Sequence, residues 1–191
     1  MKRQRKDLCV TLLLMGNATD KIGLRRGTVK LVPYDPIWKE LFEAEKDTLL
    51  NTIGDYVSDI EHIGSTSIPG LKAKPIIDMI AAVKDLSVYI KLIDSLTKLG
   101  YEYMPERVFD DRVFFPKGPQ ESRTHHLSLV VENSADWTGR IAFRDYLRSN
   151  PHERQEYQLL KERLAKQFPN DRASYTKAKE SFFKRITISS S

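Results

Sequence analysis

The stretch HIGSTSIPGLKAKPIIDMIAAV, residues 62–83, decides the fold. Its first residues close an apolar strand, 55–63, that stops abruptly at Gly64. Gly64-Ser65-Thr66-Ser67-Ile68-Pro69-Gly70 follows, a loop dense in turn-forming residues. Residues 75–83 then read as a second strand, apolar at nearly every position, as in a central strand covered on both faces. The exception is Asp78. An ionised carboxylate in an apolar strand is costly unless a partner or ligand compensates it, so Asp78 marks a candidate site.

Upstream of this stretch, Asp35-Pro36 predicts an N-cap followed by proline at the first helical position, with a helix running to about Ile53. Ile37, Leu41, Ala44, Leu49 and Ile53 form its expected buried stripe. Residues 28–32 alternate as a short strand that ends at Pro33. Downstream, residues 86–99 predict an amphipathic helix closed by Gly100. Two β segments, 112–115 and 124–132, precede three helices at 135–149, 151–167 and 172–188. This order predicts an α/β (α+β) fold: a small mixed β-sheet packed by helices, with a C-terminal helical extension. The core is expected at 28–133 and the helical tail at 135–188, within a domain spanning 26–188. Residues 1–25 read as a flexible N-terminal extension.

A chain of 191 residues is long enough for one domain with its own core. Its single cysteine, Cys9, excludes an intrachain disulfide and a cysteine-based metal site. Any metal would be a hard cation held by carboxylates and phosphates, which means magnesium. The net charge of +5 invites a nucleic-acid reading, but seven of the 31 Lys/Arg and only two of the 26 Asp/Glu lie in residues 1–27. The remaining 24 basic and 24 acidic residues balance, so bulk electrostatics disfavour nucleic acid as a partner. The apolar run at 8–15 is far below the roughly 20 residues that span a bilayer. The expectation is a cytoplasmic protein with no membrane partner.

A glycine-serine turn straight after a strand allows close backbone approach and offers free N–H donors, which suits a phosphate. The Ser65, Thr66 and Ser67 hydroxyls add contacts, and Lys72 and Lys74 bring positive charge. Asp78 then either reaches a magnesium ion bridging those phosphates or bonds the loop amides in a structural role. On strand 124–132, alternation puts Thr124, His126, Ser128, Val130 and Glu132 on one face, and Leu127, Leu129 and Val131 on the other. If the first face lines a cleft, His126 or Glu132 supplies a ligand or a general base. Arg144 and Arg148, four apart on a predicted helix, form either a phosphate clamp or ordinary ion pairs. Tyr157, Lys161, Tyr175 and Lys179 share that spacing and the same two readings.

HIGSTSIPGLKAKPIID (62–78) resembles the signature of the GrpB family. So do KLVPYDPIWKELFEAE (30–45), THHLSLVVENS (124–134), FRDYLRSNPHERQEYQLLKERLA (143–165) and YTKAKESFF (175–183). The resemblance implies a nucleotidyltransferase-like fold. Active members of that fold place a glycine-serine turn before a strand carrying Asp-x-Asp or Asp-x-Glu, whose acids hold two magnesium ions. Gly64, Ser65 and Asp78 match that pattern, whereas Ile80 stands where the second acid would be. The implied function is binding of a nucleotide or other phosphorylated small molecule with Mg2+, and transfer of a nucleotidyl group to an acceptor. The alternative is a non-catalytic accessory module with a protein partner, linked to coenzyme A biosynthesis, because similar domains occur fused to dephospho-CoA kinases. The chain has no GxxxxGK[ST] phosphate loop of the kind such a kinase carries.

Overall fold

The structure is a computed structural model that describes residues 21–189. Four strands form one mixed sheet: β1 (Asp59–Ile63), β2 (Ile77–Val83), β3 (Arg112–Lys117) and β4 (His125–Val131). Their spatial order is β1-β2-β4-β3, with β2 and β4 parallel and both outer pairs antiparallel. The two central strands are the two apolar ones, because each is covered on both faces. Pro116 is accommodated in β3, an edge strand whose outer side needs no donor.

The helices divide between the two faces of the sheet. Helices α1 (Ile37–Ile53) and α2 (Tyr89–Lys98) cover the face formed by Ile77, Met79, Ala81 and Val83 of β2 with Leu127 and Leu129 of β4. The opposite face carries Asp78 and Ile80 of β2 with His126, Ser128 and Val130 of β4. Over it lie α3 (Ala135–Ser149), α4 (Pro151–Gln167), α5 (Arg172–Lys177) and α6 (Glu180–Ser189). A second apolar cluster of Phe143, Leu147, Tyr157, Phe182 and Ile186 grips Ile68 and Leu71, tying these helices to the loop that follows Gly64.

The expected fold class, a small mixed sheet packed by helices with a helical C-terminal extension, is the one observed. Several local expectations need correction. Residues 28–32 form no strand: Val32 makes a single bridge to Ala73, and the Val29 N–H donates to Pro169 O at 2.8 Å. The buried stripe of α1 is Trp38, Phe42, Glu45, Leu49 and Ile53, while Ile37 and Leu41 pack at its margin. The expected strand 55–63 starts only at Asp59, after a 3-10 turn at Gly54–Tyr56. The expected helix 172–188 is two helices, interrupted at Ala178 and Lys179. Residues 21–25 are integral and not an extension. Ile22 is buried in the core, the Gly23 N–H donates to Pro75 O, and Leu24 bridges Arg123. Residues 1–20, including the basic start and the apolar run, lie outside the described residues. Among the described residues, no helix is long and apolar enough to cross a membrane.

Candidate functional site

Between the second face of the sheet and the C-terminal helices lies a cleft of about 880 Å³. Its floor is the pair Asp78 and His126, which face each other in register on neighbouring parallel strands. The His126 Nδ1–H donates to Asp78 Oδ1 at 2.7 Å, which leaves Nε2 as an acceptor; the Arg172 guanidinium approaches it at 3.4 Å. Gly64 makes this floor possible. It holds φ 71° and ψ −173°, a region essentially reserved for glycine, and a Cβ there would stand 2.7 Å from Asp78 Oδ2.

The charges in the cleft are unevenly matched. Nine Lys/Arg and three Asp/Glu line it, although the domain as a whole is balanced. Arg123 and Arg140 have acid partners in Glu102 and Asp136. Lys74 and Lys179 lie over the Tyr175 ring, at 5.6 and 4.4 Å from its centroid, and neither makes an ion pair among the described residues. Burial pushes both lysines down, Lys179 to about 8, and neighbouring Arg172 pushes them further. Burial also opposes ionisation of Asp78. The His126 hydrogen bond and the positive field of His126, Lys74 and Arg172 outweigh it and hold the carboxyl well below the usual range. Burial pulls the His126 imidazole down, against the opposing pull of Asp78.

A third lysine props the glycine-serine turn from behind. Lys161 of α4 is only 1% exposed, donates to Ser65 Oγ at 3.1 Å and to Lys72 O, and stands 5.0 Å from the Tyr157 ring centroid. It has no acid partner among the described residues, and burial drives its pKa well down. The Ser65 hydroxyl is also hydrogen-bonded to the Tyr157 side chain, so two residues of α4 hold it in place.

The profile of the family described as GrpB protein matches residues 28–188. The chain belongs to the GrpB family. It is similar to the glutamate-rich protein GrpB of Alkalihalophilus pseudofirmus, with 40% identity covering 86% of this chain and 97% of that protein. The crystal structure of the conserved protein GrpB from Enterococcus faecalis superposes with a TM-score of 0.77 at 36% identity, over 84% of this chain and 96% of that one. A dephospho-CoA kinase of Mycolicibacterium paratuberculosis is 25% identical over 185 residues, and this chain corresponds to 46% of its length.

Within this GrpB-family domain, Gly64, Ser65, Thr66, Lys74, Asp78, His126, Tyr157, Tyr175 and Lys179 converge on the cleft from among the candidates read in the sequence. Others do not. Glu132 follows the far end of β4, where its carboxylate accepts from Ser58 Oγ at 3.0 Å, so it supplies neither ligand nor base. The Thr66 hydroxyl is engaged by Ile76 O and His62 Nε2, and the Ser67 hydroxyl donates to Gly64 O. Lys72 pairs with Glu162 at 2.8 Å. Arg144 is tied to Glu61, Asp145 and His62 O, and Arg148 donates to Ser67 O at 2.8 Å and to Asp145. These arginines brace β1 and the turn from outside, and the phosphate-clamp reading is corrected to a structural one. Arg172 and Phe114 are cleft residues that the sequence reading missed. Arg107 also reaches the cleft.

A resident magnesium ion fits these residues poorly. Ile80 is buried among Ile63, Val130 and Trp137, so no second carboxylate stands beside Asp78. Asp78 Oδ1 already binds His126, and the nearest remaining charges are cations. Among the described residues, the one cluster of three metal-binding side chains is His152, Glu153 and Glu156 on the outer surface of α4, away from the cleft.

Proposed function

We propose that the cleft binds a phosphate-bearing small molecule of nucleotide size. The observation that carries this reading is the set of unmatched cations: Lys74, Arg172 and Lys179 face a floor whose single carboxylate is already bonded to His126. Burying positive charge without a counter-charge is unfavourable, and an anionic ligand removes that penalty. The Phe114 and Phe183 rings at the wall offer apolar surface to a base or acyl portion. The reaction such a site serves is transfer of a nucleotidyl or phosphoryl group to an acceptor hydroxyl, whose proton passes to His126 Nε2 as the P–O bond to the departing phosphate or pyrophosphate breaks. Asp78 holds that imidazole in the accepting tautomer.

A thermal-shift screen of the four ribonucleoside triphosphates and coenzyme A precursors tests this reading. A true ligand at a hundredfold excess over its dissociation constant stabilises the fold by about 2.7 kcal/mol. The shift should disappear in Lys179→Met. No shift from any phosphorylated compound at millimolar concentration would remove the reading.

The accessory-module reading has one observation of its own. The similarity to the mycobacterial dephospho-CoA kinase covers 84% of this chain but less than half of that protein. Under that reading the cleft holds a coenzyme A precursor without turnover. Saturable binding of dephospho-coenzyme A with no product on prolonged incubation would favour it.

A further inference from the structure

We propose that side-chain cations occupy the role of a divalent metal in this cleft, so that its ligand is a polyphosphate bound free of metal. This rests on the reading above and makes it more specific. Four structural features support it. Asp78 is oriented toward His126 by a 2.7 Å hydrogen bond, and its other oxygen occupies the space that a Cβ on Gly64 would take. Ile80, on the same face of β2 two residues on, is sealed in an apolar cluster, so the strand presents one acid and not two. Glu132 is held by Ser58 beyond the far end of β4. Finally, Lys74, Arg172 and Lys179 surround the lone carboxylate.

The electrostatic consequence follows directly. A divalent cation entering this floor meets the single Asp78 carboxylate amid Lys74, Arg172 and Lys179, and like charges at close range repel. A triphosphate meets the reverse. Its oxygens find three cationic side chains, and on the floor itself Asp78 alone opposes them. Charge-assisted hydrogen bonds of this kind are about twice as strong as neutral ones. The cleft volume of about 880 Å³ leaves room for a group beyond the phosphates.

The two arrangements predict opposite signs for one substitution. Where Asp78 holds a metal, Asp78→Asn destroys affinity. Where side-chain cations hold the phosphates directly, Asp78→Asn removes the one repulsive charge and affinity rises.

The experiment is calorimetric titration of the full chain with inorganic triphosphate, once with EDTA and once with excess magnesium. The expected result is binding in EDTA, weakened when magnesium sequesters the triphosphate. Affinity should rise roughly fivefold in Asp78→Asn and fall at least tenfold in Lys179→Met, both variants melting as single transitions. Affinity that appears only with magnesium and is lost in Asp78→Asn would overturn the inference and leave the phosphate-binding reading intact. Absence of binding under both conditions would bring down both.

Discussion

His125 and His126 are neighbours on β4, and they face two regions that treat charge in opposite ways. On the side of His125, the Glu45 carboxylate receives the Lys117 ammonium on both oxygens, at 2.7 and 2.8 Å, and the Tyr101 hydroxyl at 2.8 Å. That cluster is closed: acid, base and hydroxyl satisfy one another under α1. Burial then pushes the His125 imidazole down to about 4, so it sits neutral beside a completed ion pair. On the side of His126, the lone carboxylate is shared with one imidazole, and Lys74, Lys179 and Lys161 have no acid partner among the described residues. The same sheet thus carries a polar cluster that is finished by folding and another left unfinished by it. An unfinished cluster inside a large cleft is where a ligand belongs.

The comparison can be broken first at the closed cluster, where the largest effect on stability is expected. Glu45→Ala strands the Lys117 ammonium and the Tyr101 hydroxyl and should cost about 3 kcal/mol. Chemical denaturation measures this, and phosphate binding by the remaining folded protein should not change. Lys179→Met on the other side should do the converse. It should lower triphosphate affinity at least tenfold, worth about 1.5–3 kcal/mol for a charged hydrogen bond, and leave the melting temperature unchanged or higher. A drop in stability comparable to that of Glu45→Ala would erase the distinction between the two clusters.

Gly64→Ala tests the geometry of the floor. A non-glycine residue at φ 71° and ψ −173° costs about 1–3 kcal/mol, and its Cβ would displace Asp78 from His126. Denaturation should register the strain, and a change in the pH titration of His126 followed by NMR should register the displacement.

The pH dependence sharpens the same contrast. Burial lowers Lys179 to about 8 in the folded protein, below its ordinary value of 10.5. Between those two values the unfolded chain binds the proton and the folded one does not, so this group makes stability rise with pH across that window. Phosphate binding requires the protonated amine, so affinity should fall as pH rises through about 8. Calorimetry at pH 7 and 9 should show a loss of about tenfold, and Lys179→Met should abolish that dependence. The smallest effect is expected at Lys161→Met. Its change in stability should lie within about 1 kcal/mol, because an apolar side chain replaces a buried amine of similar length. A modest loss of affinity should accompany it as the Ser65 hydroxyl loses its prop.

The sequence reads clearly wherever local chemistry alone sets structure. Helices α3 and α4 begin and end at the expected residues, because Ser134 caps the first and Pro151 can only open the second. The turn after β1 and the lone acid on β2 are equally plain, and so is the alternation that aims His126 into the cleft. What failed depends on contacts distant in the chain. The β-like alternation at 28–32 is real, but its amides find Pro169 and Ala73 in place of a sheet neighbour. The break at Ala178 and Lys179 contains no glycine or proline, so nothing local announces it. Yet Lys179 owes its place in the cleft to that region. Arg172 escaped a functional reading and Lys161 stayed ambiguous because their partners, His126 and Ser65, lie 46 and 96 residues away. Arg144 and Arg148 were ambiguous for the same reason: spacing on a helix says which residues share a face, not what that face meets.

The hydrogen bond between Lys161 and Ser65 also bears on the order in which the protein is made. A ribosome completes all four strands, and with them the Asp78–His126 floor, before it has synthesised any of the helices that cover the sheet's second face. Throughout that interval the second face of the sheet lies bare, with Ile80 and Val130 beside the charged pair. The glycine-serine turn acquires its prop only when α4 emerges, and the floor acquires Arg172 and Lys179 later still. A cleft assembled in this sequence is incomplete in every truncated nascent chain. Under the proposed phosphate-binding reading, a ligand meets a complete site only at the last step of folding.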